Sequence, residues 1–201
     1  PKTAYGVYKG IEAAAQFRLG RDDIRGLKVA VQGVGHVGYF LCQRLHDAGA
    51  ALVVSDIDED RVRRVCDEFG ATAAGLGEIL YQDVDVFAPC ALGAILDEHS
   101  IPQLRASIVA GGANNQLATP DDGQRIADAG ILYAPDYVIN AGGIINVACE
   151  YEGDVSDEEV LGLVARIGPR LTTIFAEAEE TGRPTNVVAD AHARRIISEA
   201  A

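Results

Sequence analysis

The sequence predicts an α/β fold, a doubly wound parallel sheet of Rossmann-like type with additional carboxyl-terminal helices. Three observations predict it. Short apolar runs alternate with helical patterns from Leu27 to Asp136. Those runs are largely apolar on both faces, as strands covered by helices on both sides must be. A glycine triplet with G-x-G-x-x-G spacing, Gly33, Gly35 and Gly38, stands where the first run gives way to a helix. Right-handed crossovers then produce the doubly wound arrangement.

Each element follows in order. Thr3 is placed as the N-cap of a helix from Ala4 to about Leu19, on which Val7, Ile11, Ala14 and Ala15 share a face. Gly20 ends it. The turn DDIRG leads into the strand LKVAVQ. In GVGHVGYFLCQRLHDAG the apolar positions Val37, Phe40, Leu41 and Leu45 recur at helical spacing, and Gly49 stops the helix. ALVVSD is a second strand, and DEDRVRRVCDEFG a charged helix. ATAA, VDVFAPC, SIVAGGA and ILYAPD supply the third to sixth strands, with a helical stretch around residues 123–129 before the last. After Tyr151 the alternation stops. SDEEVLGLVARIGPRLTTIFAEAEETG reads as one long amphipathic helix with a Ser156–Glu159 capping box and a kink at Pro169. PTNVVADAHARRIISEA is the last helix, with Thr185 as its cap. On this reading residues 1–201 are one domain, with a core over about 21–150 and helices at 1–20 and 151–201 appended.

Composition bounds the function. The 201 residues are 48% hydrophobic and 23% charged, which is globular composition. A formal charge of −13 repels nucleic-acid phosphates and anionic lipid heads, so neither nucleic acid nor membrane is an expected partner. No apolar run approaches the roughly 20 residues of a membrane span, and no signal peptide is read. Cys42, Cys66, Cys90 and Cys149 form no C-x-x-C, and His36, His46, His99 and His192 are scattered, so no metal site is expected. The cysteines read as reduced thiols of a cytoplasmic protein. The chain contains no Met and starts at Pro1, so its amino end reads as a cut inside a longer protein.

The glycine loop carries the first chemistry. Gly33 permits the tight turn, Gly35 lets a pyrophosphate approach the backbone, and Gly38 lets helix and strand pack closely. The helix start offers free N–H groups and a positive dipole end, with His36 contributing its backbone rather than its ring. Asp56 closes the second strand, 18 positions past Gly38. Its carboxylate accepts both ribose hydroxyls of an adenosine and repels a 2′-phosphate, and Asp58 and Glu59 add to the repulsion. No arginine occupies positions 57–60, so NAD is expected rather than NADP.

Three more strand ends share that edge. Cys90 and Ala91 border the cofactor, with Cys90 either a nucleophile or a packed small residue. Asn114 and Asn115 either cap a turn or hold a ribose hydroxyl or a substrate carboxylate. In YAPDYVINAGGIINVACEYEG, Asn140 offers an amide to a polar head or to the nicotinamide amide, and Gly142 and Gly143 open a helix while admitting the nicotinamide ring. Ile144 and Val147 lie three apart on one face. They either floor an apolar pocket or belong to the core.

The blocks PKTAYGVYKGIEAAA, VAVQGVGHVGYFLCQRLHDAGA, FAPCALGAI, IPQL…IVAGGANNQL and YAPDYVINAGGIINVA together resemble the cofactor domain of the leucine/valine/phenylalanine dehydrogenases, within the glutamate dehydrogenase-like superfamily. The likeness runs from Pro1 to about Glu150 and more loosely to the end. It implies oxidative deamination of an L-amino acid to a 2-oxo acid and ammonia, with hydride passed to NAD. It implies that Thr3 bonds the nicotinamide amide, that Gly33, Val34, Gly35, His36, Val37, Gly38 and Tyr39 form the phosphate loop, and that Asp56, with Ile57 beside it, holds the ribose. Asn115 is similar to the asparagine that positions substrate. Ile144 and Val147 match the side-chain pocket, where branched aliphatics leave room for a branched-chain amino acid and crowd a phenyl ring. The family's catalytic lysines and aspartate lie in an amino-terminal domain, one lysine in a glycine-rich segment. Lys2, Lys9 and Lys28 are the lysines here, and none has that setting, so no catalytic residue is expected in this chain. The resemblance also implies a homo-oligomer, formed largely through the part not present. A phenylalanine or glutamate dehydrogenase domain and a stand-alone NAD-sensing module are the alternatives.

Overall fold

A computed structural model describes residues 1–153 and 155–200. Its centre is a six-stranded, all-parallel sheet in the order β3-β2-β1-β4-β5-β6. The strands are β1 (Lys28–Gln32), β2 (Ala51–Ser55), β3 (Thr72–Ala73), β4 (Val86–Pro89), β5 (Ile108–Val109) and β6 (Leu132–Tyr133). β1 lies at the middle, with Val29 beside Leu52 on one side and Val86 on the other. The strand order reverses direction between β1 and β4, which is the switch point of doubly wound sheets.

Side chains along a strand alternate between faces, so one apolar run feeds two cores. Val29, Val31, Val54, Val86, Ala88 and Ile108 join one cluster. It holds α1 (Lys2–Leu19), α2 (His36–Asp47), α7 (Asp157–Ala165), α8 (Ile167–Thr181) and the start of α9 (Thr185–Ala200). Ala30, Phe87, Val109 and Tyr133 face the other way, against Ile79, Leu96, Ile101 and Ile126. Between these come α3 (Glu59–Phe69), α4 (Asp122–Asp128), α5 (Asp136–Ile139) and α6 (Gly142–Glu152). Val7, Ile11 and Ala14 of α1 are fully buried in the same cluster as the sheet.

The alternation and its glycine stops are where the sequence places them. Gly20 takes a left-handed conformation at φ 63° and closes α1. Asp58 caps α3 by accepting from the N–H groups of Asp60 and Arg61. The capping box of Ser156 and Glu159 is formed.

Three expectations are corrected. Thr3 is not an N-cap: α1 starts at Lys2 after Pro1, and Thr3 lies within its first turn without a capping bond. The long helix after Ser156 is two helices, α7 and α8, divided at Arg166. Pro169 accounts for the break, because its ring excludes a helical bond to the carbonyl of Ala165, the last residue of α7. Thr185 does not cap α9: its hydroxyl donates to the carbonyl of Tyr133 at 2.7 Å, tying the helix to the edge strand. The short helix α5 was not expected.

Candidate functional site

Because all six strands are parallel, the segments after β1, β2, β4, β5 and β6 leave the sheet along one carboxyl edge. The glycine loop follows β1. Gly33 has φ 89°, open to glycine at little cost, and its N–H donates to Ser55 O at 2.7 Å. A Cβ on Gly33 would lie 2.6 Å from that of Ala91. One on Gly38 would collide with Gly33 O. Both glycines are therefore required by the protein's own packing. At Gly35 the Cβ direction is open, with only the Arg61 guanidinium within reach, at 3.6 Å.

Helix α2 starts at His36 with Gly35 as N-cap and no side-chain cap. Its first N–H groups need an acceptor. Asp56 stands directly after β2 and has two bonds already. Oδ2 accepts from Val34 N–H at 2.7 Å, and Oδ1 from Asp58 N–H at 3.0 Å. The carboxylate thus ties the glycine loop to the β2–α3 turn and keeps lone pairs for a further donor. Nearby, the buried Ser55 Oγ and Gln32 Oε1, paired in register at the ends of β2 and β1, have no hydrogen-bond partner among the described residues.

The other loop residues divide by what their side chains touch. Val34 is buried in the core, with its N–H spent on Asp56. His36 is exposed, edge-on to Phe40 at 5.2 Å. Val37 lies against Gly112. Tyr39 closes the first turn of α2 through its N–H to Gly35 O at 2.8 Å, while its ring lies under Arg64 and its hydroxyl donates to Glu68. That ring belongs to the α2–α3 contact and not to the loop. Ile57 is 85% exposed beside Asp56. Cys90 packs near Gly112 and Gly38, and burial pushes its thiol up to about 11, which disfavours the nucleophile reading.

The far half of the edge is built from β5, β6 and α6. Asn115 sits in left-handed backbone at φ 52°, which asparagine tolerates better than most residues. Its carbonyl accepts from Ala94 N–H at 2.6 Å. Asn114 and Asn140 meet directly, Asn140 Nδ2 donating to Asn114 Oδ1 at 2.6 Å. Beneath them the fully buried Gln116 donates to Gly111 O and Ala113 O at 2.8 and 2.9 Å, and its N–H reaches Asp136 at 3.1 Å. Gln116 and Asp136 hold the amide-bearing turn, and sequence reasoning missed both; the one available signal was a glutamine inside an otherwise small, turn-forming block.

The glycine pair packs closely against the start of α1. A Cβ on Gly142 would lie 2.5 Å from Lys2 O, and one on Gly143 would lie 2.9 Å from Thr3 Oγ1. The pair lets α6 cross the start of α1, and that crossing brings Thr3 to the site. Ile144 and Val147 are 69% and 57% exposed, so they are not core.

The chain's lysines are engaged elsewhere or lie at a strand start. Lys2 pairs with Asp157 at 2.9 Å, Lys9 pairs with Glu12 at 2.7 Å, and Lys28 opens β1. Among the described residues no group of three or more His, Cys, Asp or Glu could hold a metal ion, and no helix is long and apolar enough to cross a membrane.

Known proteins resemble this arrangement in sequence and in fold. The family described as Glutamate/Leucine/Phenylalanine/Valine dehydrogenase matches residues 1–60 and 54–197. Leucine dehydrogenase of Geobacillus stearothermophilus is 48% identical over 197 residues, covering 98% of this chain and 53% of that protein. L-tryptophan dehydrogenase of Nostoc punctiforme is 49% identical over 200 residues, covering 99% and 55%. A crystal structure of L-tryptophan dehydrogenase from Nostoc punctiforme superposes with a TM-score of 0.95 at 48% identity, covering 99% of this chain and 60% of that one. The chain thus spans about half the length of the curated relatives it matches. By sequence over nearly its whole length and by fold, the chain belongs to the glutamate/leucine/phenylalanine/valine dehydrogenase family.

Proposed function

We propose that this chain is the NAD-binding part of an L-amino acid dehydrogenase that deaminates a branched-chain amino acid to its 2-oxo acid and ammonia. The observation that supports it best is the content of one sheet edge. An uncapped helix start beside Asp56 lies at one end, and exposed Ile144 and Val147 lie on α6 at the other. A dinucleotide fits the near half. The open side of Gly35 leaves room for a diphosphate, bare N–H groups donate to its oxygens, and Asp56 has lone pairs left for ribose hydroxyls. A 2′-phosphate there would face Asp56, Asp58 and Glu59, which favours NAD over NADP.

When bound, the cofactor supplies the hydride acceptor. The chain's residues do the orienting. Thr3 and Asn140 hold the nicotinamide amide, and Asn114 keeps Asn140 in place through the 2.6 Å bond between them. Asn115 positions the substrate. Ile144 and Val147 form part of the apolar wall for its side chain. The acid–base work falls to a lysine outside this chain, since Lys2, Lys9 and Lys28 are committed as described. The free thiols among the described residues suit a reducing compartment such as the cytoplasm. A homo-oligomer is proposed for the whole protein.

An aromatic substrate is the second reading, favoured by the L-tryptophan dehydrogenase relative at 49% identity. A kcat/KM panel on the full-length protein with leucine, valine, phenylalanine, tryptophan and glutamate separates the two. Preference for leucine or valine supports the first reading, and preference for an aromatic or acidic substrate overturns it. The chain alone is expected to bind NADH weakly and to turn nothing over; steady NADH production from leucine by the isolated chain would contradict the assignment of the base to another segment.

A further inference from the structure

The glycine loop has a neighbour that the reading above leaves unused. Arg61 lies in the first turn of α3, which begins just after the Asp56 turn. It is the side chain facing the open side of Gly35, its Nη1 3.6 Å from where a Cβ would stand. Its own N-cap fixes that position. Asp58 Oδ1 accepts from the N–H groups of Asp60 and Arg61, while Asp58 Oδ2 takes Arg61 Nε at 3.1 Å. One carboxylate therefore caps the helix and grips the inner nitrogen of the guanidinium. The two terminal nitrogens have no hydrogen-bond partner among the described residues. A planar guanidinium held by one edge keeps its outer N–H groups for another oxyanion.

The charges around it sharpen the inference. Asp56, Asp58, Glu59 and Asp60 crowd the turn with negative charge, and a dinucleotide brings a diphosphate to the same place. Arg61 supplies a cation on the side from which that diphosphate approaches Gly35. We propose that Arg61 is a cofactor-binding residue that contacts the diphosphate of the dinucleotide, and that Asp58 is the positioning residue that aims it. The proposal rests on the NAD-binding reading. It also completes the loop chemically: backbone N–H groups meet the phosphates from α2, and a guanidinium meets them from α3.

The test is binding of NADH, NADPH, ADP-ribose and adenosine to the full-length protein and its Arg61→Ala variant, by calorimetry at low and at physiological salt. Arg61 is 54% exposed on its side chain and in a surface ion pair of small worth, so the variant is expected to fold, and its unfolding midpoint checks this. Loss of a charge-assisted contact is expected to weaken ADP-ribose and NADH about fivefold to tenfold. Adenosine should be unchanged, and the salt dependence of ADP-ribose binding should flatten. Unchanged ADP-ribose binding in the variant overturns the proposal. So does a loss confined to 2′-phosphorylated dinucleotide with ADP-ribose unaffected, which would place Arg61 at the ribose instead. Failure of the unsubstituted protein to bind any of the probes sinks the NAD-binding reading itself, a different result from either.

Discussion

The carboxylate of Asp56 accepts the backbone N–H of Val34 at 2.7 Å, across 22 positions of sequence. A residue expected to serve a ligand thus holds the ligand loop in shape before any ligand arrives. Its second oxygen accepts from Asp58, so the loop after β1 and the turn after β2 share one anchor.

Asp56→Ala should therefore weaken the protein as well as its dinucleotide binding. Two backbone donors lose a charged acceptor, and bonds to charged groups contribute about 1.5–3 kcal/mol each when buried, less at this partly buried site. The expected outcome is a lower midpoint of thermal unfolding in the absence of ligand, together with loss of NADH binding by titration. A variant that loses binding with an unchanged midpoint would show that Asp56 serves the ligand only.

The glycines of the carboxyl-terminal half separate by what surrounds them. Gly142→Ala would drive a methyl to 2.5 Å from Lys2 O, with backbone on both sides of the clash, and should destabilise by about 1–3 kcal/mol. Gly162→Ala meets nothing within 4 Å on the exposed face of α7, and should stabilise by about 0.5–1 kcal/mol through helix propensity. Chemical denaturation of the two variants should move in opposite directions.

Ile144→Ala and Val147→Ala remove exposed side chains, so little stability should be lost. Their effect belongs in specificity. In the full-length protein each is expected to lower kcat/KM for leucine by about 10-fold, the low end of what one lost apolar carbon in a pocket is worth, and to raise it for a larger aromatic substrate. Equal effects on small and large substrates would remove these residues from the pocket.

Acid should expose a dependence on Asp122. Burial alone would raise its carboxyl, but the Thr119 hydroxyl and N–H, each at 2.8 Å, and Arg125 at 2.7 Å hold it below the ordinary range. A carboxyl lowered in the folded state binds fewer protons than the unfolded chain does. Its stabilisation is complete above the unfolded value and is lost as pH falls through that value toward the folded one. The melting temperature should drop below about pH 4, and Asp122→Asn should flatten that limb while costing stability at neutral pH. An acid limb of the same steepness in the variant would assign it to other carboxylates.

The strands and the loop were legible because their signals are local. Apolar runs such as LKVAVQ, the glycine spacing, and the Ser156–Glu159 box all lie within a few residues of the structure they specify. The features that were not legible depend on partners far away in sequence. Gly142 is a glycine because of Lys2, and Thr185 turns to Tyr133, 52 positions back. Locally Thr185 looks like a helix cap, and nothing beside Gly142 in sequence points to Lys2. Arg61 lies just past the turn after β2, and only the first turn of α3 returns its side chain to Gly35, 26 positions back in sequence. The exposure of Ile144 and Val147 had no signature at all, since helical spacing is the same for a core face and for a bare one.

The bond from Thr185 to Tyr133 has a consequence for the whole molecule. β6 is two residues long and lies at the outer margin of the sheet, where an open row of amides and carbonyls invites another chain to pair. With its hydroxyl on Tyr133, the terminal helix acts as a selvedge that keeps the weave from running on into a neighbour. Cutting the chain before Pro184 would do more than shorten it, because it would leave a raw border on which copies of the protein could assemble.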